Sequence, residues 1–133
     1  MPRHCENGQA VAEFLNQHPK IAYVNYCGLP GDKYHAVAEK YLPNGSCGVV
    51  SFGVKGGREA AAAFMGHLKI AAIETHVADA RTCCLHPASS THRQMNDEQL
   101  IAAGVQPDLV RMSCGLEDKN DLIHDIAQAL DQI

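Results

Sequence analysis

The hydrophobic pattern of this chain switches repeatedly between two spacings, and that switching constrains the fold more than any other feature. Runs rich in strand formers occur at Ile21–Tyr26, Gly48–Val54 and Leu109–Ser113. Around them, one-face positions recur at helical intervals: Val11, Phe14, Leu15 and His18, then Tyr34, Val37, Ala38 and Tyr41, then Ala61, Phe64, Met65 and Leu68. A last set comprises Leu122, Ile123, Ile126, Ala127, Leu130 and Ile133. Pro19, Gly28-Leu29-Pro30-Gly31, Pro43-Asn44-Gly45 and Gly104 punctuate the segments. Asn7, Asp32 and Asn96 are predicted helix caps, and Asp118 with Asp121 resembles a capping box. Residues 69–86 read as a strand, a bend near Ala78-Asp79 and an extended piece ending at Leu85, followed by a polar loop from Pro87 to Met95. Each helix must bury one face and each strand one side. One sheet with helices packed on it meets both demands, so the expected fold is a two-layer α/β or α+β domain.

A length of 133 residues suits a single domain, 1–133, and 46% hydrophobic against 20% charged residues supports a packed core rather than disorder. Eleven basic and fifteen acidic residues give a net charge of −4, which argues against a nucleic-acid partner. No apolar run approaches the ~18 residues of a membrane span. The opening Met1-Pro2-Arg3-His4-Cys5 lacks the apolar core of a signal peptide, so no membrane and a cytoplasmic location are expected. Six cysteines are present, but no C-x-x-C pair, and Cys83-Cys84 are adjacent. The expected state is small, reduced side chains rather than a disulfide framework. His86 and His92 are six residues apart, off the i, i+4 spacing of a helical ligand pair, and no metal site is expected.

One residue breaks the local pattern. Arg111 stands mid-strand in Leu109-Val110-Arg111-Met112-Ser113, where a guanidinium needs a partner or an exit to water. A planar donor aimed at a carboxylate is the sharper reading. Gly53-Val54-Lys55-Gly56-Gly57-Arg58 matches neither phosphate-binding glycine pattern and is predicted to be a strand-to-helix turn.

Several stretches together resemble one family: Arg3-His4-Cys5-Glu6-Asn7, Val24-Asn25-Tyr26-Cys27-Gly28-Leu29-Pro30, Ser51-Phe52-Gly53-Val54-Lys55-Gly56-Gly57-Arg58-Glu59-Ala60, His86-Pro87-Ala88-Ser89-Ser90-Thr91-His92, and Pro107-Asp108-Leu109-Val110-Arg111-Met112-Ser113. The chain is similar to the C-terminal domain of the Cys/Met-metabolism family of pyridoxal-phosphate enzymes, and within it to the O-acetylhomoserine sulfhydrylase branch. The resemblance implies a small, mixed or mostly antiparallel sheet with helices on it. It also implies that the cofactor-binding domain is absent and that the chain is a C-terminal portion, inactive alone. Pyridoxal phosphate would belong to the full-length enzyme. No covalently bound cofactor and no catalytic residue are expected on this chain, because none of its lysines matches the Schiff-base lysine. The implied partners are a cofactor-binding N-terminal domain or homologous chain, a second copy in a homo-oligomer, and a small amino-acid substrate.

The resemblance assigns substrate binding to Arg111, His76 and Thr91. Arg111 matches the family arginine that grips the substrate α-carboxylate, Thr91 lies in the active-site wall segment, and His76 stands where sulfhydrylases usually have asparagine. Thr75 stands where γ-lyases often have glutamate, and Ala78 where glycine is usual. The implied reaction is γ-replacement, O-acetyl-L-homoserine plus sulfide giving homocysteine and acetate. A cystathionine or methionine γ-lyase fragment is the alternative within the family, and a non-enzymatic remnant module binding an amino acid or partner chain is the alternative outside it.

Overall fold

Strand parity divides the molecule. In the computed structural model, which describes residues 1–133, strands β2 (Val49–Val54) and β5 (Leu109–Ser113) pair antiparallel, with Ser51 opposite Arg111 and Val50 opposite Met112. Val50, Phe52, Val54, Val110 and Met112 are fully buried in the core, while Ser51 and Arg111 lie on the other face. Strand β1 (Ile21–Asn25) pairs with β2, and β4 (Cys83–Leu85) pairs with β5, both antiparallel. The short β3 (Ala72–Ile73) runs parallel to β4, giving a mixed five-stranded sheet of order β1-β2-β5-β4-β3.

Helices α1 (Pro2–Gln17), α3 (Gly57–His67) and α5 (Lys119–Asp131) pack on the core face, supplying Val11, Leu15, Phe64, Ile126 and Leu130. Phe52 and Phe64 meet edge to face, with centroids 5.8 Å apart. The architecture is therefore the expected two layers, with one sheet face left uncovered by long helices. Two shorter helices, α2 (His35–Tyr41) and α4 (Asp97–Ala102), and a 3-10 turn at Pro87–Ser89 lie in the connections. No helix is long and apolar enough to cross a membrane.

Several local expectations are corrected. Helix α1 starts at Pro2, not after Asn7. A proline in the first turn costs no hydrogen bond. Asn7 instead sits inside the helix, fully buried, and its Nδ2 donates to Gly115 O at 3.0 Å and Glu117 O at 2.9 Å. The following Gly8 lets the helix close on the chain entering β2, where a Cβ would stand 2.6 Å from Cys47 O. Asp32 closes the turn after β1 rather than capping α2, accepting the N–H of Tyr26 at 3.2 Å and of Tyr34 at 2.8 Å. Of the predicted α2 stripe only Ala38 is buried; Tyr34, Val37 and Tyr41 are exposed. Asp118 caps α5 through Asn120 N at 2.8 Å, without a reciprocal bond from Asp121. Asn96 does form a full capping box with Gln99.

Asp125, on the buried side of α5, carried no sequence signal. Its Oδ1 accepts Lys69 N at 2.8 Å, and its Oδ2 accepts Ile70 N at 2.9 Å and Ala71 N at 3.1 Å. It thus ties α5 to the segment joining α3 to β3. All six cysteines are free thiols. Cys84 and Cys114 belong to the core, and burial pushes the Cys114 thiol up to about 12 and that of Cys84 higher still.

Ala78 has φ 58°, a left-handed conformation that suits glycine. Its amide donates to Ser113 Oγ at 3.1 Å, which holds it there. Ala78→Gly is expected to stabilise the protein by about 1 kcal/mol, relief of a Cβ clash outweighing the added freedom of the unfolded chain. The thermal midpoint should rise by about 3 °C. An unchanged or lower midpoint would mean that the position carries no strain.

Candidate functional site

Arg111 occupies the centre of the uncovered sheet face. Its strand is the middle one of five, and the residue lies between Ser51 on β2 and Leu85 on β4. Its Nη2 donates to the carbonyl of Thr75 at 2.8 Å, while its Nε is buried and has no partner. The guanidinium lines a hollow of about 470 Å³. Val49, Leu85 and Leu109 make the apolar walls, and Ser51, Thr75 and Thr91 add hydroxyls. No carboxylate lines the hollow, and Arg111 forms no salt bridge. A buried donor without a partner costs about 1–3 kcal/mol. An incoming carboxylate would neutralise the cation, with geometry matched to the guanidinium fork.

The wall that carries Thr91 is fixed from behind. Buried His86 contacts Ser89 Oγ through Nδ1 at 2.9 Å and Pro107 O through Nε2 at 2.9 Å. The carbonyl partner makes Nε2 the donor, so this histidine is a brace. Ser90 Oγ donates to His86 O at 2.6 Å. Arg58, the first side chain after the Gly56-Gly57 turn, donates to Ala88 O at 2.6 Å and through Nε to Asp97 at 3.1 Å. The glycine-rich stretch is thus a strand-to-helix turn whose arginine secures the neighbouring loop. Thr91 itself is exposed, with Oγ1 2.8 Å from His92 Nδ1.

The fold brings two of the three sequence-assigned residues together. Arg111 and Thr91 share the hollow, whereas His76 does not line it. Its Nδ1 lies 3.3 Å from Asp79 Oδ2, and the ring is exposed. Of the other lining residues, Thr75 was noted only for standing where γ-lyases often have glutamate, and Ser51 was assigned no role. Ser51 was marked only by its place among apolar neighbours on the face opposite to the core. Thr75 acts through its backbone carbonyl, which leaves no trace in side-chain identity.

A larger hollow of about 630 Å³ lies between α1 and α2. It is lined by the carboxylates Glu6 and Glu39 and the thiols Cys5 and Cys27, which disfavours an anion, and His35 there is engaged by Cys27 O and Glu39. No lysine lines the Arg111 hollow. Lys20 Nζ spans Leu130 O and Ile133 O, Lys55 Nζ donates to Pro19 O, and Lys119 Nζ to Glu6. The residues around Arg111 therefore fit a substrate carboxylate and do not fit covalent attachment of an aldehyde cofactor.

Comparison with known proteins identifies the family. The model of the family described as Cys/Met metabolism PLP-dependent enzyme matches residues 1–131. The chain is 44% identical over 131 residues to a homocysteine synthase of Schizosaccharomyces pombe, covering 98% of this chain and 30% of that protein. It is 45% identical over 134 residues to an O-acetyl-L-homoserine sulfhydrylase of Leptospira meyeri, covering 100% and 30%. It is 41% identical to an L-methionine gamma-lyase of Fusobacterium nucleatum, covering 100% and 33%. Among solved structures, a Campylobacter jejuni protein described as an O-acetylhomoserine (thiol)-lyase, carrying a pyridoxyl-lysine group, superposes with a TM-score of 0.88. That match has 37% identity and covers 97% of this chain and 31% of the other. The chain thus spans about 30% of the length of the first relatives.

Proposed function

The chain belongs to the Cys/Met metabolism family of PLP-dependent enzymes, and from that premise we propose that it is the substrate-carboxylate side of an O-acetylhomoserine sulfhydrylase-like enzyme. In this reading residues 1–133 form the C-terminal domain, and a cofactor-binding domain completes the site. The reaction is γ-replacement, in which sulfide displaces acetate from O-acetyl-L-homoserine to give homocysteine. Pyridoxal phosphate, bound by the larger part, supplies the electron sink.

The observation that carries the reading is Arg111, a cation without an ion-pair partner, lining a hollow without a carboxylate. Arg111 takes the substrate α-carboxylate, and the carbonyl of Thr75 fixes the plane of its guanidinium. Two parallel hydrogen bonds fix the orientation of the carboxylate as well as its position, which sets the direction of the Cα–H bond. The apolar wall of Val49, Leu85 and Leu109 displaces water from the amino-acid chain, and Thr91 bounds the far side. His76 acts at one remove, holding through Asp79 the loop that presents Thr75.

The test is a chimaera in which this chain replaces the matching C-terminal segment of the Leptospira meyeri relative. It should bind cofactor and form homocysteine from O-acetylhomoserine and sulfide. The isolated chain should form none, and should leave no borohydride-trapped cofactor on a defined lysine. A folded, cofactor-loaded chimaera without product, or turnover by the chain alone, would overturn the reading. Elimination from methionine is the second reading, favoured by the identity to the gamma-lyase. Methionine consumption exceeding homocysteine formation in the same chimaera would select it.

A further inference from the structure

The connection between β3 and β4, with the first residue of β4, holds a side-chain cluster outside the Arg111 hollow. His76, Asp79 and Cys83 each offer one ligand atom, and these atoms all lie within 4.8 Å of one another. The spacing H-x2-D-x3-C matches no familiar chelating motif, so only the folded chain reveals it. We propose that His76, Asp79 and Cys83 form a binding site for a borderline divalent cation of the zinc class.

The ligand set is chemically selective. An imidazole nitrogen, a carboxylate oxygen and a thiolate sulfur together suit zinc, cobalt(II) or nickel(II) and disfavour magnesium and calcium. Metal–ligand bonds of about 2.0–2.3 Å in a tetrahedron put ligand atoms about 3.3–3.8 Å apart, so the cluster needs to contract by only about 1 Å at its widest. His76 Nδ1 and Asp79 Oδ2 are already 3.3 Å apart. A thiolate and a carboxylate together balance the 2+ charge. Cys83 is buried and its thiol donates to Arg81 O at 3.5 Å; the metal displaces that proton, which leaves through the open His76 side, where water fills the fourth position.

The cluster is braced by groups behind it. Asp79 Oδ1 accepts the N–H of Arg81 at 3.0 Å, which turns Oδ2 towards His76. The Asp79 carbonyl lies 3.1 Å from His4 Nε2, and Leu116 N donates to Ala80 O at 2.8 Å. Cys83 is fixed by β4, where it pairs with Ser113 and therefore shares the face of Arg111. Such outer contacts orient ligands and raise affinity. The Arg81 guanidinium, with Nε 3.7 Å from Asp79 Oδ1, is the competing cation and would remain on that outer oxygen.

The experiment titrates the whole chain with Zn2+ against a chromophoric chelator and with Co2+ as a spectroscopic reporter. One equivalent should bind, and the cobalt form should show a thiolate charge-transfer band with tetrahedral visible bands. Cys83→Ser should abolish the charge-transfer band. His76→Asn and Asp79→Asn, both at accessible positions, should each weaken zinc binding by more than about tenfold. Cys27→Ser should change neither measurement. A folded parent chain without the thiolate band would overturn the proposal, as would zinc affinity that survives both His76→Asn and Asp79→Asn. None of these measurements involves turnover, so they stand or fall independently of the sulfhydrylase reading.

Discussion

Arg111→Lys in the chimaeric enzyme is expected to lower kcat/KM by about a hundredfold, corresponding to about 3 kcal/mol. Arginine meets two demands at once here: one N–H holds the Thr75 carbonyl, and the side chain still lines the hollow as a cation. A lysine ammonium is a point charge on a flexible stem. Drawn to the Thr75 carbonyl, it cannot also present parallel donors to a carboxylate. Arg111→Ala should lose about a further tenfold, because the charge itself is gone. Loss of the Thr75 hydrogen bond offsets relief of the unpartnered Nε, so the thermal midpoint of both variants should stay close to that of the parent. Steady-state kinetics with O-acetylhomoserine as the varied substrate decide the matter. A lysine variant within about threefold of the parent would make Arg111 a snorkelling surface residue and nothing more.

The largest expected loss of stability comes from Asp125→Ala, at about 3–4 kcal/mol. The carboxylate is the acceptor for three consecutive backbone N–H groups, those of Lys69, Ile70 and Ala71. These follow the end of α3 and precede β3. Each bond to a charged acceptor contributes about 1.5–3 kcal/mol, but the contributions do not add in full, since water reaches the exposed Lys69 and Ile70 once the side chain is removed. Ala71 is buried, and its amide has no such recourse. Thermal denaturation should show a midpoint lower by about 10 °C. Asp125→Asn keeps one acceptor oxygen and should lose about half as much. A urea transition for Asp125→Ala within about 1 kcal/mol of the parent would show that the three amides find other partners.

How much of this was legible in the sequence follows from the range of the forces involved. Strands β2 and β5 and helices α3 and α5 could be read because burial repeats along the chain with the period of the element. The capping box of Asn96 and Gln99 was half legible for the same reason, since its partners are three residues apart. Asn7 has the composition of a cap but is used over a separation of 108 residues, where its buried amide meets Gly115. Asp125, with partners 54 to 56 residues away, had no local signal at all. The stripe on α2 was read correctly as a pattern and wrongly as a core contact, because periodicity says that a face is apolar and not what covers it. At the site, Arg111 was conspicuous because a cation in mid-strand breaks a pattern. His76 was assigned by resemblance, and the fold directs it to Asp79 rather than into the hollow.

The alternation in β2 and β5 makes stability and ligand affinity separable traits. Changes at positions 50, 52, 54, 110 and 112 act on packing between sheet and helices, while changes at 51 and 111 act on what the open face can hold. One face can be retuned without unfolding the other. The same arrangement makes a single-residue insertion ahead of Val110 doubly damaging, since it would turn Arg111 into the core and Met112 out of it. Substitutions in these strands should therefore be tolerated far more readily than insertions or deletions of one residue.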